Sequence, residues 1–290
     1  MEEDKVRKDV REGYAQIARE GLCCSPATSC CSSTSTYDEM SKRMGYNEEE
    51  LKAVPEGANL SLGCGNPIAL ASLKEGETVV DLGAGAGLDC FLASGKAGKE
   101  GKVIGVDMTP EMIDRARENA KKGGYGNVEF RLGEIENLPV ADNTADLVIS
   151  NCVVNLAPNK QRVFEEAFRI LKPGGRLMVS DIVLLKELPE ATRKRAHAAS
   201  CVKGAIKKEE YVEAIEKAGF QEVEVVKETR YSYEEACNDP NSRVILKNRN
   251  QETQELKAVR ELDDDAKMEV KRILDSAISV SVKGTKPSEK

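Results

Sequence analysis

The stretch Val79-Val80-Asp81-Leu82-Gly83-Ala84-Gly85-Ala86-Gly87-Leu88-Asp89-Cys90 decides how the rest of the chain is read. A short apolar run, an acid, glycines at alternate positions and a helical continuation spell strand, tight turn and helix. Glycine lets a backbone take positive φ and approach a ligand where a side chain would stand in the way. The next apolar stretch, Lys102-Val103-Ile104-Gly105-Val106-Asp107, ends in an acid about twenty residues beyond the loop, where a ribose diol finds its acceptor. A glycine turn alone is an ordinary steric device. Together with the distal Asp107 it points to a nucleoside-type cofactor.

The spacing inside the loop chooses among such cofactors. Dinucleotide binders rest a pyrophosphate on the helix N-terminus and space their glycines GxGxxG. Here the pattern is Asp81-x-Gly83-x-Gly85-x-Gly87, and a carboxylate just ahead of the turn repels a pyrophosphate but suits the ammonium of a methionine moiety. The loop resembles motif I of the class I S-adenosylmethionine (SAM) methyltransferases. Other stretches fall in register with it: Asp107 closing the second strand, Asp146-Leu147-Val148-Ile149-Ser150 as the fourth, and Leu171-Lys172-Pro173-Gly174-Gly175 before the fifth. The resemblance spans roughly residues 65 to 230. It implies a Rossmann-like α/β fold: a mostly parallel seven-stranded sheet in the order 3-2-1-4-5-7-6, strand 7 antiparallel, with helices on both faces. It also implies cofactor contacts from Asp81, Gly83, Gly85, Gly87, Asp107, Met108, Glu134, Ile135 and Asn151, with Gly133-Glu134-Ile135 beside the adenine.

A length of 290 residues with 40% hydrophobic content supports one sizeable core with appendages. Strand–helix alternation through the middle argues for a parallel sheet. The organisation expected is a helical, cysteine-bearing arm and lid over 1–64, a cofactor-binding core over 65–229, a polar and helical insertion over 230–272, and a closing strand and tail over 273–290. A net charge of −7 speaks against a nucleic-acid partner, which calls for a basic footprint. Ser150-Asn151-Cys152-Val153 also stands where base methylases carry a Pro-Pro-aromatic motif. The N-terminus is charged and no apolar run is long enough to span a bilayer, so a cytoplasmic protein without a membrane partner is expected.

Several elements read directly from pattern. Residues 5–20 carry apolar positions 6, 10, 14 and 17, an amphipathic helical stripe able to lie across the core. Thr109-Pro110-Glu111 opens a helix with an N-cap, proline at its first position and an early acid; Ile113, Ala116 and Ala120 form its inner face and Gly123-Gly124 ends it. Strands follow at 127–131 and 175–182, a helix at 159–171 with Val163, Phe164, Ala167, Phe168 and Leu171 inward, then a helix at 207–218 and a strand at 221–227. Ala277–Lys283 alternates with period two and reads as the closing strand.

Nine cysteines against a single histidine, His197, and no tryptophan set the chemistry. In a reducing compartment these are thiols for metal or reaction rather than a disulfide framework, and a single histidine speaks against a His-assisted base or a His-rich metal site. Cys23-Cys24 and Cys30-Cys31 sit in a polar segment. They read as a thiol arm for a soft substrate or redox exchange, or as a structural zinc knot, although the spacing is not CxxC. Cys90 should pack on the sheet, and Cys237 is incidental in the insertion.

Three cysteines remain. Cys64 stands between glycines in Leu62-Gly63-Cys64-Gly65; alone it would read as a small buried hydrophobe. Cys152 follows strand 4 in Ser150-Asn151-Cys152-Val153-Val154-Asn155-Leu156, on the rim with the glycine loop and Asp107, since ligands of open α/β sheets bind beyond the strands' carboxyl ends. Cys201, in Cys201-Val202-Lys203-Gly204-Ala205, leaves the same rim and can fold back over the pocket. Thiols around a methyl donor suit a soft acceptor. Trivalent arsenic qualifies: thiolates displace its hydroxides, it becomes pyramidal, and its lone pair attacks the methyl in line without a general base.

The three cysteine stretches, in order on such a core, resemble the arsenic-ligand motifs of the arsenite SAM methyltransferases. The resemblance implies Cys64, Cys152 and Cys201 as catalytic ligands, arsenite and methylarsenite as substrates, arsenic detoxification as the role, and a glutathione-like thiol or thioredoxin as reductant. Members of that family often carry a further cysteine that pairs with the position of Cys64; Cys23, Cys24, Cys30 and Cys31 compete for that place. Two other readings stand beside this one. A SAM-dependent C- or O-methyltransferase of a small metabolite, such as a quinone ring, would leave the three cysteines as packing residues. A non-enzymatic arsenic- or zinc-binding module would have no use for the glycine loop and Asp107.

Overall fold

The computed structural model describes residues 2–20, 33–195, 200–230, 232–234, 243–247, 254–258 and 262–288. Its strands are β1 (Thr78–Leu82), β2 (Lys102–Asp107), β3 (Val128–Leu132), β4 (Ala145–Asn151), β5 (Leu171–Leu184), β6 (Gln221–Thr229), β7 (Arg243–Lys247), β8 (Gln254–Ala258) and β9 (Ala277–Thr285). Seven of them form one sheet in the order β3-β2-β1-β4-β5-β9-β6. Counted along that sheet this is the expected 3-2-1-4-5-7-6, with β9 antiparallel to both neighbours and the pairs from β3 to β5 parallel.

Successive residues of the central strands go to opposite faces, and both faces are covered, which is why the strands read as unbroken apolar runs. Val79, Val103, Leu147 and Ile149 join Phe91 and Ile113 on one face. Val80, Ile104 and Val148 join Phe164 and Tyr211 on the other. All of these side chains are at most 2% exposed, and each stabilises the fold by about 1.5–3 kcal/mol relative to exposure.

The helices are α1 (Glu2–Glu20), α2 (Ser33–Met44), α3 (Glu48–Ala53) and α4 (Pro67–Leu70) ahead of β1, then α5 (Leu88–Ala97) and α6 (Pro110–Gly123) beside β1, β2 and β3. They continue with α7 (Lys160–Ile170), α8 (Glu190–Arg195), α9 (Cys201–Gly204), α10 (Lys208–Lys217) and α11 (Asp264–Leu274). α1 lies along α6, held by an Arg19–Glu111 ion pair at 2.7 Å and by Arg115 donating to the Ala18 carbonyl at 3.0 Å. Val10 and Ile17 of its stripe are buried, but Val6 is 39% exposed, so the contact face begins one turn later than the pattern suggested.

Two boundaries depart from expectation. α7 stops at Ile170, and Leu171 opens β5 in register with Ala145, because Pro173 keeps the chain just ahead of it out of the helical region. The stretch 230–272, expected to be polar and helical, holds most of α11, which runs on to Leu274, but also the antiparallel pair β7–β8. Val244 and Ile245 are β-branched and favour extended chain. None of the described helices is long and apolar enough to cross a membrane. Cys23, Cys24, Cys30, Cys31, His197 and Cys237 lie outside the described residues.

Candidate active site

Parallel pairing sets Leu82 beside Val106 and Ser150, so the ends of β1, β2 and β4 share one rim. Past Leu82 the chain turns back on itself, with the amides of Gly83 and Ala84 donating to the Val106 carbonyl at 2.8 and 3.0 Å. Gly83 has φ +74°, and a Cβ there would meet Val153 at 2.5 Å. Gly85 has φ +53° and nothing within 4 Å, so its missing side chain leaves open space in the cleft. Gly87, expected with them at the cofactor, stands behind the loop, where a Cβ would strike Phe91 at 2.6 Å.

A cleft at this rim is bounded by Gly83, Gly85, Asp107, Met108, Glu134, Ile135, Asn151 and Cys152, with Arg7, Val10 and Tyr14 of α1 as its roof. The roof is clamped by Arg7, whose Nε and Nη2 donate to the two carboxylate oxygens of buried Glu136 at 2.9 and 3.1 Å. Asp107 accepts the amides of Gly85 at 3.0 Å and Thr109 at 2.8 Å. Burial pushes its carboxyl up, and those amides pull it back. Thr109 turns its side chain as well as its amide to Asp107, and the side-chain cap expected of it is not formed.

A second lobe shares Leu62, Gly83, Gly85 and Asn151 with the first and adds Tyr46, Asp81 and Asp89. Asp81 accepts from the Cys90 thiol at 3.2 Å, so Cys90 is buried on the sheet as expected and also bonds the loop's acid. Burial, with the charge of Asp89 added, holds the Asp81 carboxyl well above the usual range. Asp89 is pushed up to about 6 by burial, against the hydrogen bonds from Tyr46 Oη at 2.7 Å and Asn151 Nδ2 at 3.1 Å. Two buried carboxylates on one cavity oppose each other's ionisation, and a cation between them relieves both. The lobe thus fits an ammonium group, as the empty space at Gly85 fits a close-lying cofactor.

The three cysteines singled out from sequence come together at the same rim. Cys152 lies just past β4 at φ +63°, its amide donating to Ser180 O at 2.7 Å. Its sulfur is 2.6 Å from that of Cys201, which opens α9. Cys64 is buried, its carbonyl accepting from Ser279 Oγ at 2.7 Å. Asn151 faces this loop as much as the cleft: its Oδ1 accepts the amides of Cys64 at 2.9 Å and Gly65 at 3.2 Å. All three are free thiols.

Sequence reasoning missed Asp181. One of its carboxylate oxygens and the sulfurs of Cys64 and Cys152 lie within 4.8 Å of one another. Its signal was a lone acid in the apolar stretch Leu177-Met178-Val179-Ser180-Asp181-Ile182-Val183-Leu184. The carboxylate is 1% exposed and satisfied by Asn155 N at 3.2 Å, Asn155 Nδ2 at 2.7 Å, Ile182 N at 2.9 Å and Tyr211 Oη at 3.3 Å. Burial pushes it up to about 6. Hydrogen bonding with Cys201 and Cys64, then burial, raises the Cys152 thiol well above its usual range, and burial raises Cys64. Tyr14, also missed in this role, has its phenol raised by burial and then by Cys201 and Cys152. The result is a pair of raised thiols, Cys64 and Cys152, on the rim of the cleft.

A family model described as a methyltransferase domain matches residues 73–219. The chain is similar to an arsenite methyltransferase of Halobacterium salinarum, with 49% identity over 231 residues, 77% of this chain and 59% of that protein. It is also similar to an arsenite methyltransferase of Homo sapiens, with 34% identity covering 76% of this chain and 59% of the relative. The chain thus spans 59% of the length of both relatives. Among solved structures it resembles the X-ray crystal structure of CrArsM, an arsenic(III) S-adenosylmethionine methyltransferase from Chlamydomonas reinhardtii. The identity is 30% and the TM-score 0.58, covering 86% of this chain and 73% of that one.

Proposed function

The chain belongs to the arsenic(III) S-adenosylmethionine methyltransferase family, and on that premise we propose that it methylates trivalent arsenic, arsenite first and methylarsenite after it. The observation that carries the reading is the meeting of Cys64, Cys152 and Cys201, all free thiols, beside the glycine loop. SAM, when bound, supplies an electrophilic methyl on a sulfonium sulfur. Asp107 receives the ribose hydroxyls, Met108, Glu134 and Ile135 flank the adenine, Gly83 and Gly85 leave room for the backbone to approach, and Asp81 with Asp89 holds the ammonium.

The thiols capture arsenic by exchange. Each sulfur forms a bond to arsenic while a hydroxide leaves with the thiol proton as water. No free thiolate has to accumulate, so the raised thiols of Cys64 and Cys152 are no obstacle. Three sulfurs leave arsenic pyramidal with its lone pair opposite the tripod. That lone pair forms the arsenic–carbon bond as the methyl leaves its sulfonium, whose bonding electrons stay on sulfur. Holding the nucleophile within attack distance supplies much of such a rate. Arsenic is oxidised from the trivalent to the pentavalent state, and two thiols that become a disulfide return the two electrons. A glutathione-like thiol or a thioredoxin-type dithiol serves as that reductant, with Cys23, Cys24, Cys30 and Cys31 as capture or relay thiols, and detoxification of arsenic is the role.

The test is direct. Purified chain incubated with arsenite, SAM and a thiol should yield methylated arsenicals on chromatographic speciation. Failure to methylate arsenic by a protein that binds both SAM and arsenite would overturn the reading.

A further inference from the structure

Asn151 is the last residue of β4, and its side chain reaches two places at once. Its Oδ1 accepts from Cys64 N at 2.9 Å and Gly65 N at 3.2 Å. Its Nδ2 faces three acceptors: Gly65 O at 2.8 Å, Tyr46 Oη at 2.9 Å and Asp89 Oδ2 at 3.1 Å. The cysteine loop is pressed onto this amide so closely that a Cβ on Gly63 would meet Asn151 Nδ2 at 2.6 Å. An amide nitrogen carries only two hydrogens, so its acceptors compete. Gly65 O is the nearest and Asp89 the farthest of the three, and charge on Asp89 competes with Gly65 for the two hydrogens.

A cation seated between Asp81 and Asp89 neutralises that pull. The amide hydrogens then go to Gly65 O and Tyr46 Oη, while Oδ1 keeps the Cys64 and Gly65 amides, and the loop carrying the Cys64 thiol is clamped at both its N–H and C=O groups. We infer that Asn151 is a positioning residue that couples the two binding events, so that a cofactor ammonium in the acidic lobe tightens the thiol tripod and arsenical binding is strengthened by cofactor. The inference rests on the functional reading above. By linkage the effect is reciprocal: bound arsenical strengthens the cofactor by the same factor. The enzyme then builds its full arsenic site chiefly when the methyl donor is already in place.

The experiment uses S-adenosylhomocysteine, which keeps the ammonium and lacks the methyl, so that no turnover disturbs the equilibrium. Its affinity for the reduced full chain is measured by equilibrium dialysis with and without saturating arsenite, and arsenite affinity with and without saturating S-adenosylhomocysteine. Each should tighten the other by the same factor, about fivefold or more. Asn151→Ala should bind each ligand alone, arsenite more weakly, with the mutual factor reduced to about twofold or less. Wild-type chain that binds both ligands with no mutual effect overturns the coupling and leaves the functional reading intact. A folded Asn151→Ala that keeps the full factor also overturns it, since coupling through the N-terminal cysteines would survive that change. If Asn151→Ala does not fold by circular dichroism, Tyr46→Phe removes one partner of the amide without opening a cavity. The factor should fall there too, and an unchanged factor overturns the inference. Wild-type chain that binds neither ligand alone refutes the functional reading itself, and this inference with it.

Discussion

The sulfurs of Cys152 and Cys201, 49 residues apart in the chain, lie 2.6 Å from each other, whereas Cys64 reaches them from the loop ahead of the sheet. Arsenite has three exchangeable hydroxides and can take all three sulfurs; methylarsenite has two and needs only the adjoining pair. Cys64→Ser should therefore fail on arsenite, by about a hundredfold or more, yet still methylate methylarsenite. Cys152→Ser and Cys201→Ser should fail on both. Product speciation from each substrate decides, and arsenite methylation by Cys64→Ser at the wild-type rate would refute the tripod.

Asp107→Ala should weaken SAM binding while sparing arsenic capture. Losing charge-assisted hydrogen bonds to a ribose costs about 1.5–3 kcal/mol, roughly tenfold or more in affinity. The Gly85 and Thr109 amides also lose their acceptor, so the effect should reach the upper end of that range. Equilibrium dialysis with SAM is the measurement, and an unchanged affinity in a folded variant would remove Asp107 from the cofactor site.

The two inner glycines of the loop should separate stability from binding. At Gly83 an added methyl meets Val153 at 2.5 Å under a left-handed φ, so Gly83→Ala should destabilise by about 2–4 kcal/mol. At Gly85 the left-handed φ remains but nothing lies within 4 Å, so the cost should be only about 1–2 kcal/mol. Gly85→Ala should instead lose SAM affinity, because its methyl enters the cleft. Urea unfolding and dialysis on both variants would expose the reverse ranking.

Asp89 should make the unliganded chain less stable as pH rises. Its carboxyl is pushed from an ordinary 3.8 up to about 6 by burial. The unfolded chain therefore releases this proton first, and the penalty begins near about pH 4, grows to about pH 6 and stays constant above it. Asp89→Asn removes the penalty and lessens the one on Asp81. The mutant's stability relative to wild type should climb by as much as about 3 kcal/mol across that window, as read from urea midpoints. A difference that is flat from pH 4 to 6 would contradict the buried charge.

Replacing Cys23, Cys24, Cys30 and Cys31 together with serine should slow repeated turnover several-fold. A single methylation of arsenical already bound and reduced should be spared, because the tripod is complete without the arm. Quenched-flow speciation at one equivalent of arsenite makes the distinction. Loss of the single turnover would move one of these residues into the reaction site.

What could be read from sequence was local. The glycine loop, Asp107 and each cysteine stretch declare themselves within a few residues, and the resemblance supplied the strand order. What escaped depends on contacts between distant segments. Asp89 looks like an ordinary first-turn helix acid until Tyr46, 43 residues earlier, is found bonded to it. Asn151 was expected at the cofactor; its grip on Cys64 crosses 87 residues. Asp181 gains its meaning only when β5 passes under the thiols. Thr109 fits the cap pattern, but its side chain turns back to Asp107 two residues earlier.

The insertion of β9 between β5 and β6 also has a consequence for biosynthesis. Ser279 holds the Cys64 carbonyl from 215 residues away, and Ser281 bonds Ser180 at 2.9 Å. A ribosome delivers this strand after every other member of the sheet. Until it arrives, β5 and β6 have a gap between them and the Cys64 loop has no tether from that side. A nascent chain can therefore carry its glycine loop and its thiols before the Cys64 loop is tied to the sheet through Ser279.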